Sequence, residues 1–442
     1  MPRFAKLRLV VTLACLWLLT AAARAEELRL DNGLRVVLAP DASVNNVALV
    51  VSYEAGSAND PARYRGMAHL VEHLTFRGSR HLRAERGSDM IEASGGGSNA
   101  FTYPDRTQYV AVLPRAALPL GLWIERERMA FALEGIDQNA LDLERKIVRN
   151  EVAERKGLSW RTYMQRQRSL YGLQHAYASE DDAQLNDVQA VTLPDVQWFF
   201  QSSHRPDNAT LVVVGAFDPQ EIRPVIERYF APIQNPTLAR NTREAPAPKQ
   251  CGVHRLELGH QYLQGRMLSM TWTLQQPSSA SERMAVRALR HVLDGGVSDE
   301  LVRGSFEAAS VSVALDHRQT HSLLQVDLNL HEQSDFEKVE ARVMKVATEL
   351  ASTAIDDAEL TTLRGELVTE AVLARENALQ RALSIARGYD SIEDAELANA
   401  LDAPSIQRAA AQLTGHRLVL AVRHSDAASD GTEILKEDDP CR

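Results

Sequence analysis

Between residues 26 and 234 short apolar runs alternate with longer stretches of helical period. Leu28-Arg29-Leu30, the turn Asp31-Asn32-Gly33 and Leu34 to Leu38 predict a hairpin built around an Asn-Gly signal. Val47 to Tyr53, Tyr109 to Leu113 and Ala209 to Val214 predict further apolar strands. A helix is predicted to begin after Asp60-Pro61, where Asp can cap and Pro suits the first helical position. Long helical patterns occupy Ala116 to Leu133, Asp137 to Gly157 and Leu193 to Phe200. Pro236, Pro246 and Pro248 among polar residues then predict a linker over 235–250.

The scheme restarts beyond the linker. Strand-like residues near Leu256 and from Met267 to Thr273 precede a helix from Ser281 to Leu293 and a break at Gly295-Gly296. Strands near Val311 to Leu315 and Leu323 to Leu330 follow, then helices through Asp335 to Ala351 and Ala358 to Arg387. Similar length and element order predict two duplicated α+β domains, at 26–234 and 251–424. The stretch 425–442 reads as an acidic, mobile tail.

With 442 residues, 45% of them hydrophobic, the chain can bury two cores. Its net charge of -10 argues against nucleic acid and anionic membrane surfaces as partners. Arg3, Lys6 and Arg8 before the apolar run Val10 to Ala22, with Ala23-Arg24-Ala25 after it, predict a signal peptide over 1–25 and a periplasmic or secreted protein. No later stretch is long and apolar enough for a membrane span. In such a compartment Cys251 and Cys441 can bridge, or remain separate thiols.

The candidate chemistry lies in Gly66-Met67-Ala68-His69-Leu70-Val71-Glu72-His73-Leu74. Met67, Leu70, Val71 and Leu74 make one apolar helical stripe, which leaves His69, Glu72 and His73 to share another face. Two imidazoles one turn apart can reach a single ion, with a carboxylate beside them to take a proton from water, the arrangement a catalytic zinc needs. A solvated face with two incidental histidines is the competing reading. Such a zinc wants a third protein ligand; Glu144 and Glu151, seven residues apart, share one helical face, although spacing alone favours an exposed charged helix. His317 and His321 lack an accompanying ligand, and Cys251 with His254 forms no recognised metal motif.

At these residues the sequence resembles the pitrilysin/insulinase family, zinc peptidases with an inverted His-x-x-Glu-His motif. The likeness extends to Phe76-Arg77-Gly78-Ser79, to Gly95-Gly96-Gly97-Ser98-Asn99-Ala100-Phe101-Thr102 and to Arg205-Pro206-Asp207-Asn208. It implies a two-domain fold like that of mitochondrial processing peptidases, each domain a mixed, mostly antiparallel sheet packed with helices. It further implies one zinc on His69, His73 and Glu151, with Glu72 as general base and Glu144 as a supporting carboxylate. Asn99 and Ala100 would lie on an edge strand to which a peptide adds, with Phe76 and Phe101 lining the pocket. The family's second-half Arg and Tyr pair is missing, since no tyrosine occurs between Tyr262 and Tyr389. That departure implies a homologous partner subunit supplying the pair, or a slow enzyme working alone. A non-catalytic assembly subunit is the alternative from another class. The quorum-signal lyases also carry an inverted motif but are much shorter.

Overall fold

The computed structural model describes residues 25–154, 157–178, 187–261, 263, 265–426 and 433–440. The expected signal peptide therefore lies outside the described residues, apart from Ala25. Cys251 is disulfide-bonded, and Cys441 lies outside the described residues. Among the described residues no helix is long and apolar enough to cross a membrane.

The chain forms two six-stranded mixed sheets. The first contains β1 (Glu26–Arg29), β2 (Arg35–Pro40), β3 (Asn46–Tyr53), β4 (Gly97–Thr102), β5 (Thr107–Pro114) and β6 (Ala209–Gly215), in the order β1-β2-β6-β3-β5-β4. The second contains β7 (Val253–His260), β8 (Arg266–Gln275), β9 (Ala308–His317), β10 (His321–Leu330), β11 (Arg417–His424) and β12 (Glu433–Asp438), in the order β12-β7-β11-β8-β10-β9. The permutation is the same in both. Each has one parallel pair, β2 with β6 and β7 with β11, and the other pairings are antiparallel. The duplication predicted from element order is thus present in topology. The sixth strand differs in origin: β1 precedes its sheet in sequence, while β12 follows. β12 overturns the reading of 425–442 as a mobile tail over Glu433–Asp438, where the main chain pairs with β7.

Of the described residues, one compact unit takes those up to Lys146, Ala190–Thr242 and Ala371–Ile392; the other takes Ile147–Gln189, Arg243–Glu370 and Glu393 onward. Neither unit is one continuous stretch. In the first, β3 and β6 are buried along nearly their whole length, the mark of central strands covered on both faces. Alternate residues divide between two cores. Val36, Leu38, Leu49, Val51, Tyr109, Leu211 and Val213 face one, and Val37, Ala39, Ala48, Val50, Val110, Val212 and Val214 face the other. The second core is closed by Ala378, Ala382, Leu383 and Ile385 of the helix Ala378–Ala386.

That helix corrects the expected continuous helix from Ala358 to Arg387, which is two, Asp357–Glu376 and Ala378–Ala386. Asn377 separates them because its Oδ1 accepts from the backbone of Leu379 and Gln380, both at 3.1 Å, and so caps a new helix. The break expected at Gly295-Gly296 is also absent: the helix Ala280–Ser298 runs through both glycines into a π-helical turn, Asp299–Gly304. Residues 235–250 contain no helix or strand.

Candidate active site

The motif helix is Met67–Leu74. It begins later than the expected start after Asp60. Gly66, at φ +89°, turns the chain in a left-handed conformation that glycine adopts without Cβ strain. Asp60 still supplies the cap, but from a distance: its carboxylate accepts from Gly66 N at 2.7 Å and Ala68 N at 2.8 Å. Met67, Leu70, Val71 and Leu74 are fully buried, as the stripe required. The helix packs against β4 and the helix Leu193–Ser203.

The stripe's burial turns His69, Glu72 and His73 to a common region, with one ligand atom of each within 4.8 Å of the others. The two Nε2 atoms are 3.2 Å apart and the rings stand edge to face. His73 Nδ1 is 2.9 Å from Glu144 Oε2. Burial alone would raise the Glu144 carboxyl, but hydrogen bonds from His73 and Arg77 and the Arg77 charge outweigh it and hold the group below its ordinary range. An ionised Glu144 accepts only, so Nδ1 of His73 carries a proton, and in the neutral ring the lone pair lies on Nε2. Arg77 reaches Glu85 as well, at 3.1 Å. On Glu72, Oε2 accepts from Thr102 Oγ1 at 2.5 Å, which ties the carboxylate to the last residue of β4.

Glu144 and Glu151 both lie on the helix Gln138–Glu154. The structure brings Glu144 onto His73; Glu151 stands two turns further along the same helix. Asn99, Ala100 and Phe101 lie on β4, an edge of the first sheet, which among the described residues pairs only with β5. Asn99 Oδ1 accepts from Ala100 N at 2.8 Å. Phe101 is exposed and faces Tyr103, with ring centres 6.2 Å apart. Phe76 is half-buried against the core, under the Arg128 guanidinium, which also covers the Tyr109 ring. Behind it, Tyr109 Oη and His204 Nε2 are 3.0 Å apart. Burial, helped by the Arg128 charge, pushes His204 down to about 3, so the ring is neutral. Three contributors were missed in the sequence: Asp60 as a distant cap, Arg77 as the second partner of Glu144, and Thr102 on Glu72. Arg77 and Thr102 stand inside stretches that resemble the family, yet nothing local assigns them a partner.

The donor set suits a zinc ion. Two imidazole nitrogens this close, one of them with its lone pair directed by a buried carboxylate, are compatible only if a proton or a cation lies between them, and a carboxylate sits within reach. A duplicated mixed-sheet fold with such a helix is the architecture of the peptidase class that carries its motif inverted. Two family descriptions match: "Insulinase (Peptidase family M16)" over residues 35–175 and "Peptidase M16 inactive domain" over residues 190–367. The chain belongs to this insulinase/pitrilysin family. Among curated relatives, the zinc protease PqqE of Helicobacter pylori is 29% identical over 219 residues, covering 48% of this chain and 47% of that protein. The chain thus matches about half the length of that relative, and a quarter (25%) of the probable zinc protease PqqL of Escherichia coli at 28% identity. A protease from Helicobacter pylori shares the fold with a TM-score of 0.81 at 21% identity, over 90% of this chain and 99% of that one. The periplasmic protease PqqL from Escherichia coli gives 0.75 at 18%, over 92% and 48%.

Proposed function

We propose that this chain is a zinc-dependent endopeptidase acting on short or unfolded peptides, with the metal held by His69, His73 and Glu151. The convergence of His69, Glu72 and His73 on one point, with Glu144 fixing the His73 tautomer, carries the reading. Zinc, when bound, supplies a Lewis acid that polarises a carbonyl and acidifies water. Glu72 takes the proton of the attacking water and passes it to the leaving amine, while Thr102 holds the carboxylate in the rotamer that faces the reaction. Since Thr102 ends β4, a peptide adding to that edge beside Asn99 and Ala100 comes close to Glu72, with Phe76 and Phe101 at its side chains. Main-chain pairing of this kind places few demands on sequence.

The missing Arg and Tyr pair supports a heterodimer in which a homologous partner subunit contributes the donors, each such donor being worth about 10²–10³ in rate. The relative described as periplasmic, together with the signal-like residues 1–25, supports a periplasmic location. The test is Glu72→Gln: zinc content unchanged and peptide hydrolysis abolished. A fully active Glu72→Gln protein refutes the assignment. Full activity of the purified chain without any other protein refutes the partner.

A further inference from the structure

The second sheet has a cluster of donors at its far edge that peptide hydrolysis does not use. β12 runs antiparallel to β7 with Glu437 opposite Leu256 and Asp438 opposite Arg255, so the register carries Asp439 to the place opposite His254. Alternate residues share a face, and His254, Glu437 and Asp439 therefore stand on the same one. The geometry agrees: one ligand atom from each lies within 4.8 Å of the others. β11 adds a fourth group, because its parallel pairing with β7 puts Leu418 beside His254 and so places His416 on that face too.

His254 is 4% exposed, yet its Nε2 is buried without a hydrogen bond. Glu437 Oε1 is 3.3 Å away but not in hydrogen-bonding geometry. A buried imidazole nitrogen that faces a carboxylate without a hydrogen bond to it is costly unless a cation lies between them. A cavity of about 630 Å³ opens onto the group, lined by His254, His416, Glu437 and Asp439 together with Arg168 and Lys249. It gives water and small ions access. The two basic residues make an anion the competing occupant, but the three converging donors favour a cation.

We propose that His254, Glu437 and Asp439 form a second divalent-cation site, of the zinc class, that fastens β12 to β7. One neutral imidazole and two carboxylates cancel the charge of a divalent ion, and the nitrogen ligand selects zinc and its neighbours over calcium or magnesium. The disulfide at Cys251, three residues before His254, works on the same corner of the fold. The ion is structural: its ligands come from two paired strands, and binding energy acquired only by the folded pairing becomes folding energy.

The test uses the full chain carrying His69→Gln and His73→Gln, so that zinc taken up is independent of the proposed catalytic centre. Equilibrium dialysis against micromolar zinc followed by elemental analysis should find about one zinc per chain, falling to near zero when either His254→Gln or Asp439→Asn is added. Zinc should raise the melting temperature of the double variant and leave that of the Asp439→Asn derivative unchanged. Asp439→Asn, at the less buried end of the cluster, keeps the test valid if His254→Gln fails to fold. No uptake by the double variant, or equal uptake with and without Asp439→Asn, overturns the proposal.

Discussion

Glu144 offers the sharpest perturbation of the first site, because its side chain is 1% exposed and its contacts are few. Replacement by Gln keeps the shape and an acceptor for His73 Nδ1 but removes the charge. A hydrogen bond to a charged group contributes about 1.5–3 kcal/mol and a neutral one about 0.5–1.5, so the change weakens the hold on His73 by about 1–1.5 kcal/mol. If His73 ligates the metal only in the orientation Glu144 imposes, that difference lowers zinc affinity about five- to tenfold. Glu144→Ala removes the bond entirely and should cost about 10–100-fold, the usual range for a partner of a metal-bound histidine. Arg77 keeps Glu85 at 3.1 Å, so its charge is not left alone and the fold should tolerate both changes. The assay is competition for zinc with a chromophoric chelator, with thermal denaturation of the metal-free proteins as control. Wild-type affinity in both variants would show that Glu144 does not orient His73.

Three further outcomes follow from the geometry. Asp60→Ala removes the acceptor for Gly66 N and Ala68 N and should cost about 1–2 kcal/mol in urea denaturation, with weaker zinc binding as the motif helix frays; unchanged stability would mean that the cap is idle. Arg381, fully buried, lies 3.3 Å from Asp41 and 3.5 Å from Asp390, so Arg381→Ala should destabilise by about 3–5 kcal/mol by leaving Asp41 buried without its partner, and a loss under about 1 kcal/mol would refute that pairing. His204 is held down to about 3 and His321 to about 4, both first by burial, so each fold-favoured neutral ring contributes stability that is complete above about pH 6.5 and lost as pH falls towards those values. At pH 5 unfolding should take up about two protons on these rings, and a stability profile flat between pH 7 and 5 would contradict their burial.

What the sequence disclosed followed from local rules. The stripe Met67, Leu70, Val71, Leu74 fixes which face of its helix is buried, and so which residues remain for chemistry; the His69, Glu72, His73 face needed no tertiary information. Short apolar runs likewise announced β3, β5 and β6. The remainder depended on partners distant in sequence. Asp60 caps a helix six residues away, a spacing for which no local pattern exists. Asn377 breaks an otherwise continuous helical pattern, and the helix it starts closes a core made of strands more than 160 positions earlier. Acidic composition made Glu433–Asp438 look like solvated tail, whereas edge strands tolerate charge on the exposed side once one neighbour supplies the main-chain bonds. His254 was silent for the same reason: its companions Glu437 and Asp439 are far away in sequence and reach it only through the pairing of β12 with β7.

The two sheets share one strand permutation, yet their corresponding connections carry different chemistry. Between β3 and β4 the chain places a short helix with a donor face; between β8 and β9 it places Ala280–Ser298, whose buried residues Ala285, Ala288, Leu289 and Val292 make a packing face, followed by a π-helical turn. The same scaffold therefore carries a donor face in one connection and a packing face in the other. The same freedom operates at the sheet edges. β4 remains an outer strand with one face open to pairing, beside Glu72, while β7 is covered by β12. Adding β12 outside β7 moves that edge outward by one strand and creates a junction between strands from opposite ends of the second half. A cation at His254, Glu437 and Asp439 would then strengthen that junction, while β4, the edge proposed for peptide addition, stays an outer strand beside Glu72.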